Sequence, residues 1–270
     1  MKKLLPLAVG MAACLLAAIP ATAQSLIGAW TYGDTSSPTS TGTGVFVFLS
    51  NGAYFHAESD NTDDGANGMD GVERGTYSYN DGTGTFTFNS NAVNTNGGWG
   101  LSDMTPGDTL AIDISGDTFS VDGGGYDFTR VTGSNNLIGA WTFGDSLNPD
   151  ANGTGVIVFM ENLVYFHIET DNTDVDGMNG MERGTYTWNQ ITGAFSSTQA
   201  VDTNGQWGLS DTYSGMLVSV TGNTLNATDT DGPGSGTFSA SRVSAVPEPS
   251  TYAVMAGALV LGIAILRRRI

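Results

Sequence analysis

Val45-Phe-Val-Phe-Leu49, Ser50-Asn51-Gly52, Ala53-Tyr-Phe-His-Ala57 is two short runs of β-branched and aromatic residues joined by an Asn-Gly turn. Apolar residues do not recur in it at helical spacing, and Asn-Gly reverses a chain tightly, so the stretch reads as a β-hairpin. The same grammar extends outward. Gly75-Thr-Tyr-Ser-Tyr79 and Thr85-Phe-Thr-Phe88 flank the turn 80–84, and Leu110 to Ile114 and Thr118 to Val121 flank Ser115-Gly116-Asp117. Leu26 to Tyr32 opens the series and Tyr126 to Val131 ends it. About eight strands in meander order predict an all-β fold. An eight-stranded up-and-down barrel is its natural closure, because closure leaves no edge strand. A two-sheet β-sandwich is the alternative.

The unit occurs twice. Leu26-Ile-Gly-Ala-Trp30-Thr-Tyr-Gly-Asp34 returns as Leu137-Ile-Gly-Ala-Trp141-Thr-Phe-Gly-Asp145, and Tyr54-Phe55-His56 returns as Tyr165-Phe166-His167. Glu73-Arg74-Gly75-Thr76-Tyr77 returns as Glu182-Arg183-Gly184-Thr185-Tyr186, and Thr129-Arg130-Val131 as Ser241-Arg242-Val243. A period near 110 residues is too long for a solenoid and suits a domain. The chain therefore divides into β repeat domain 1 (24–131), a linker (132–136), β repeat domain 2 (137–243) and a tail (244–270).

The two ends carry addresses. Lys2 and Lys3, the apolar run Leu4 to Ile19 and Ala21-Thr22-Ala23 form a secretory signal peptide, residues 1–23. In the tail, Ser250 to Leu266 is uncharged and 17 residues long. That is about the shortest transmembrane helix, and Arg267, Arg268 and Arg269 would hold its far end cytoplasmic. Between these ends stand 26 acidic residues against four arginines, with no lysine or cysteine. Such a body excludes a disulfide framework and repels nucleic acid and anionic lipid.

Val246-Pro247-Glu248-Pro249-Ser250, the apolar span 250–266 and the arginine cluster 267–269 together resemble the PEP-CTERM sorting signal of Gram-negative bacteria, also known as the ice-binding-protein C-terminal domain. The resemblance implies an inner-membrane-anchored precursor, cleavage by an exosortase-type sorting peptidase, and transfer to the cell surface or exterior. It also implies association with exopolysaccharide or envelope components. A plain membrane anchor is the alternative. The openings Gly28-Ala-Trp30 and Gly139-Ala-Trp141, each matched by a late arginine (Arg130, Arg242), resemble lipocalin-type barrels. There the arginine packs across the tryptophan face. The repeat as a whole is similar to tandem β domains of bacterial surface proteins.

Chemistry concentrates in one acidic segment per copy. On a strand, His56, Glu58 and Asp60 share a face, and Asp63, Asp64 and Glu73 follow; the second copy offers His167, Glu169, Asp171, Asp174, Asp176 and Glu182. Oxygen ligands at this density could hold calcium, although the spacing does not match an EF-hand, and a solvated acidic loop is the plainer reading. One histidine per copy is too few for a three-ligand zinc site. Arg74 and Arg183 are expected to pair with the acids beside them. Trp99 and Trp207 could stack on sugar rings or plug a barrel end. No nucleophile elbow, catalytic cysteine or phosphate loop is present, which points to a non-enzymatic protein without an obligatory cofactor.

Three functions remain open at this level: an exported surface or matrix protein, a small-ligand carrier, and a calcium-dependent adhesion module. The carrier, with each barrel holding an apolar molecule, requires an open interior of several hundred Å³ lined by Phe46, Phe48, Tyr77 and their counterparts. Aromatics that fill the barrel would exclude it.

Overall fold

The computed structural model describes residues 25–59, 70–98, 100–149, 151–171, 179–205, 208–209, 215–230 and 236–244. The signal peptide, the Val246–Ser250 motif, the apolar span and Arg267–Arg269 lie outside these residues. All regular structure described is β. The first copy contains β1 (Gly28–Tyr32), β2 (Thr43–Phe48), β3 (Ala53–Ser59), β4 (Gly71–Asn80), β5 (Thr85–Asn94), β6 (Thr109–Ser115), β7 (Thr118–Val121) and β8 (Tyr126–Arg130). Each strand pairs antiparallel with the next, and β8 returns to β1, closing an eight-stranded barrel. The alternative of two packed sheets is thereby set aside for this copy.

The second copy contains β9 (Gly139–Phe143), β10 (Thr154–Phe159), β11 (Val164–Thr170), β12 (Gly180–Trp188), β13 (Phe195–Asp202), β14 (Met216–Thr221), β15 (Thr224–Asp229) and β16 (Thr237–Arg242). Its sheet runs β13-β12-β11-β10-β9-β16-β15-β14, the same meander curled the same way. Closure differs. β5 and β6 pair from Thr85 to Thr87 against Ala111 to Thr109, whereas β13 and β14 are the two ends of an open, curled sheet linked by an isolated bridge, Ala194 to Leu217. The expected closure is thus seen in the first copy and only half realised in the second.

The hairpin that decides the fold behaves as its residues require. Gly52 takes φ +87°, the Asn51 side-chain oxygen accepts from Ala53 N–H, and Leu49 N–H closes the turn on Ala53 O at 2.9 Å. Its strands, however, bury every residue on both faces, as do β10 and β11. A free-standing barrel would alternate dry and wet positions. Here the outward faces of the two copies pack on each other. Val45, Val47, Phe55 and Val72 join Val156, Val158, Phe166 and Ile168 in one apolar cluster, separate from the cluster inside each barrel.

This interface has approximate twofold symmetry within one chain. Asn51 Nδ2 donates to Ser146 Oγ at 2.9 Å, and its counterpart Asn162 donates to Thr35 O at 2.7 Å. Arg74 Nη2 donates to Pro149 O at 3.0 Å. Its counterpart Arg183 crosses the other way, to Ser40 O at 2.6 Å, Asp34 O at 3.2 Å and Ser37 O. The sequence expectation of pairing with adjacent acids is thus corrected. Neighbours on a strand point to opposite faces. Glu73 and Glu182 turn into the barrels, so Arg74 and Arg183 turn out, toward the other copy.

At each seam the first strand meets the last at a tryptophan–arginine pair, Trp30 with Arg130 and Trp141 with Arg242. The guanidinium carbon stands 3.9 Å above the Trp30 ring and 4.1 Å above Trp141. Such stacking contributes about 0.5–2 kcal/mol. Arg130 also donates to Ile27 O and Ser25 O, and Arg242 to Ile138 O and Asn136 O, tying the entering chain to the seam.

Candidate functional site

The period of two on β3 sends Tyr54, His56 and Glu58 into the first barrel, and the β3–β4 register sets His56 opposite Glu73. His56 Nδ1 lies 3.3 Å from Glu73 Oε2. The segment after β5 folds over this pair: Leu101 N–H and Ser102 N–H donate to the Glu73 carboxylate at 2.9 and 2.8 Å. Gly100, at φ +83°, makes the approach possible, because a Cβ there would stand 2.5 Å from His56 Nδ1. Burial alone would raise the Glu73 pKa. His56, the Leu101 N–H and the Ser102 side chain outweigh it, and the carboxyl is held below its ordinary value.

Tyr32 completes the cluster. Its hydroxyl lies 2.8 Å from His56 Nε2 and also bonds the Glu58 carboxylate. Burial, followed by the charges of Glu58 and Glu73, drives the Tyr32 pKa far upward, so the phenol keeps its proton. Phe46 stacks on the His56 ring at 4.0 Å. His56, Glu58, Glu73 and the Tyr32 hydroxyl therefore form one connected polar cluster within the barrel.

The second barrel repeats the frame and changes the contents. His167 faces Glu182 across β11 and β12, and Leu209 N–H donates to Glu182 Oε2 at 2.7 Å. His167 Nδ1 stands 3.5 Å from Glu182 Oε2, an ion-pair distance whose geometry makes no hydrogen bond. Nε2 stands 3.8 Å from Glu169 Oε2. Burial would lower the His167 pKa, but Glu182, Glu169 and Asp202 reverse the sign and raise it. Burial raises that of Glu169. Where Tyr32 stands in the first barrel, the second has Phe143, at the same register opposite a glycine.

The larger difference is empty space. A cavity of about 380 Å³ opens inside the second barrel, walled by Phe143, Phe159, Phe195, Met216, Leu225 and Phe238, with His167, Glu169 and Asp229 among its polar lining. The corresponding space in the first barrel is about 40 Å³, too little for a ligand, so the expectation of one molecule in each barrel does not hold for the first. Two differences accompany the contrast: the second sheet is open between β13 and β14, whose Phe195 and Met216 line the cavity, and its inward side chains are smaller. In the first barrel Phe119 and Phe128 face each other across β7 and β8 and stack at 4.3 Å. The matching pair on β15 and β16 is Leu225 and Ala240. Phe46 corresponds to Ile157, and Val121 to Ala227.

Of the proposed calcium ligands, Glu58, Glu73, Glu169 and Glu182 point into the barrels. Asp171 is buried at the end of β11, and Asp60, Asp63, Asp64, Asp174 and Asp176 lie outside the described residues. Among the described residues no group of three or more histidine, cysteine or carboxylate side chains forms a metal-holding set. Trp99 and Trp207 also fall outside them. The sequence reading did not single out Tyr32, the Leu101 and Ser102 amides, or Asn96, whose Nδ2 lies 3.4 Å from His56 Nδ1. A column-by-column comparison of the copies, reading differences instead of matches, would have marked position 32/143.

The chain matches no protein-family model, and searches of curated proteins and of solved structures return no match.

Proposed function

We propose that this is an exported, non-enzymatic surface or extracellular protein that carries a small, largely apolar molecule in its second barrel. The first barrel acts as its filled structural twin. The supporting observation is the 380 Å³ cavity. It falls within the roughly 300–1,000 Å³ of small-molecule sites, and it is mostly apolar with a few convergent polar groups, as such sites are. The lipocalin-like seam motif agrees with this use of a barrel. Delivery rests on the signal peptide and on the PEP-CTERM-like tail, whose implied partners are an exosortase-type peptidase and exopolysaccharide or envelope components.

The experiment is a fluorescence titration of the full-length chain with N-phenyl-1-naphthylamine, a probe that brightens on leaving water. Saturable binding near one equivalent is expected. The double variant Leu225→Phe/Ala240→Phe transplants the stacked Phe119–Phe128 pair into the second barrel and should abolish it. Unchanged binding in that variant would place the probe elsewhere and defeat the carrier reading.

A further inference from the structure

The two interiors differ at the position that decides whether the polar cluster is self-sufficient. In the first barrel one hydroxyl, that of Tyr32, stands between the histidine and the glutamate of β3, bonding His56 Nε2 and Glu58 together. In the second barrel the histidine and glutamate are kept and the hydroxyl is missing. Phe143 supplies the ring alone, and its ring stacks beside His167 at 5.8 Å much as Tyr32 lies 5.9 Å from His56. His167 Nε2 and Glu169 Oε2 are left 3.8 Å apart, beyond direct hydrogen-bond reach, and both residues line the cavity. His167 is only 2% exposed and Glu169 only 8%, so the separated pair stands largely out of water. A buried polar pair in this condition costs free energy until something bridges it.

We infer that the ligand of the second barrel is an apolar, ring-sized molecule bearing a hydroxyl group, and that this hydroxyl takes the place of the Tyr32 hydroxyl, bridging His167 Nε2 and the Glu169 carboxylate. The inference deepens the carrier reading and rests on it. The chemistry of the surroundings selects the head group. A carboxylate or phosphate would meet Glu169 and Asp229 as like charges in a partly dry site. An ammonium could satisfy Glu169, but it can only donate, and it would leave nothing to accept from Nε2–H. A hydroxyl accepts from the imidazole and donates to the carboxylate at once, as the phenol does in the first barrel. The remaining wall is apolar, with Phe143, Phe159, Phe195 and Phe238 offering faces and edges to an aromatic body.

The test compares four probes of one shape on the full-length chain by calorimetric titration: naphthalene, 2-naphthol, 2-naphthoate and 2-naphthylmethylammonium. The wild-type chain should bind 2-naphthol at least about tenfold tighter than naphthalene, since a site built around a hydroxyl discriminates against its absence. It should bind both ions more weakly than the naphthol. Phe143→Tyr supplies the hydroxyl from the protein and should erase the preference. Glu169→Gln, a milder change, should reduce 2-naphthol affinity and leave naphthalene unchanged, which keeps the result readable if the tyrosine variant folds poorly. Equal affinity for naphthalene and 2-naphthol in the wild type would overturn the hydroxyl bridge while leaving the carrier reading intact. Tighter binding of the ammonium would overturn it in favour of a cation site. Binding of none of the four, together with failure of N-phenyl-1-naphthylamine, would remove the carrier reading and the bridge with it.

Discussion

Replacing each interface arginine with methionine separates two residues that the sequence presents as equivalent. Both guanidinium groups are almost fully buried between the barrels, at 1% and 0% exposure. Arg183 donates to three carbonyls of the loop 34–40 and leaves Nε without a hydrogen-bond partner, and burial lowers its pKa to about 10 against the pull of Asp34 and Asp70. Arg74 has one carbonyl, Pro149 O, while its Nε and Nη1 have no hydrogen-bond partner. A hydrogen bond from a charged donor contributes about 1.5–3 kcal/mol net, and a buried unsatisfied donor costs about 1–3 kcal/mol. Arg183→Met strips three bonds and leaves buried carbonyls, so it should cost about 3–5 kcal/mol. Arg74→Met gives up one bond and two orphaned nitrogens, while the methionine keeps the apolar stem on the interface. Its effect should stay within about 1 kcal/mol. Urea denaturation of the full-length chain at fixed pH, followed by tryptophan fluorescence, measures both. An Arg74→Met cost equal to or above that of Arg183→Met would refute the reasoning, because it would show that these hydrogen bonds do not set the energy of this interface.

Two further expectations concern pH and processing. The Glu73 carboxyl is depressed below its ordinary 4.5, so its contribution is complete above that value and is lost as pH falls through the folded pKa. The His167 pKa is raised above 6.5, so its contribution is complete below 6.5 and is lost as pH rises through the folded value. The Glu169 pKa, raised by burial, adds a loss that begins as pH rises above 4.5. Stability against urea should therefore fall below about 4.5 through Glu73, and fall above it through Glu169 and, beyond 6.5, His167. His167→Gln should flatten the alkaline limb, and an unchanged limb would show that general repulsion among the acidic residues causes it. For processing, intact mass spectrometry of the surface-released protein should show loss of the residues beyond the Pro249 region. Recovery of mature chains that still carry Arg267 to Arg269 would count against the sorting reading.

The strands were legible because their residues obey period two and their turns carry glycine or asparagine. The structure places all eight strands of the first copy where those signals put them. Strand length was less legible. β5 runs to Asn94, well past the apolar pattern that ends at Phe88, because the ladder to β4 supplies its hydrogen bonds and a bulge at Arg74/Gly75 absorbs the register change. The interface left a trace that is easy to read only afterwards. Val45-Phe-Val-Phe-Leu49 is apolar on both faces, which one barrel core cannot explain. What covers the outer face is a tertiary fact, set by the second copy. Glu73 was seen as an acid near a loop, whereas its partner across the ladder, His56, follows from a register that the sequence does not state.

The duplicates diverged where the architecture permits it. Outward positions such as Val45, Val47 and Phe55 are tied to the other copy by an approximate twofold relation, so each surface residue must fit both its own sheet and its partner's. Inward positions answer to one barrel only. Phe119 and Phe128 stack inside the first interior across β7 and β8, and the sheet of that barrel closes. Large-to-small changes of this kind ordinarily cost about 2–5 kcal/mol each when they leave a cavity. In the second copy β10, β11 and β12 are buried on their outer side by the first barrel, so part of their stability does not depend on what fills the interior. The filled barrel thus stabilises the hollow one. An interior that a lone 105-residue barrel would need as core becomes free to hold a ligand, and the empty space lies beside the histidine and glutamate that lost their bridging hydroxyl.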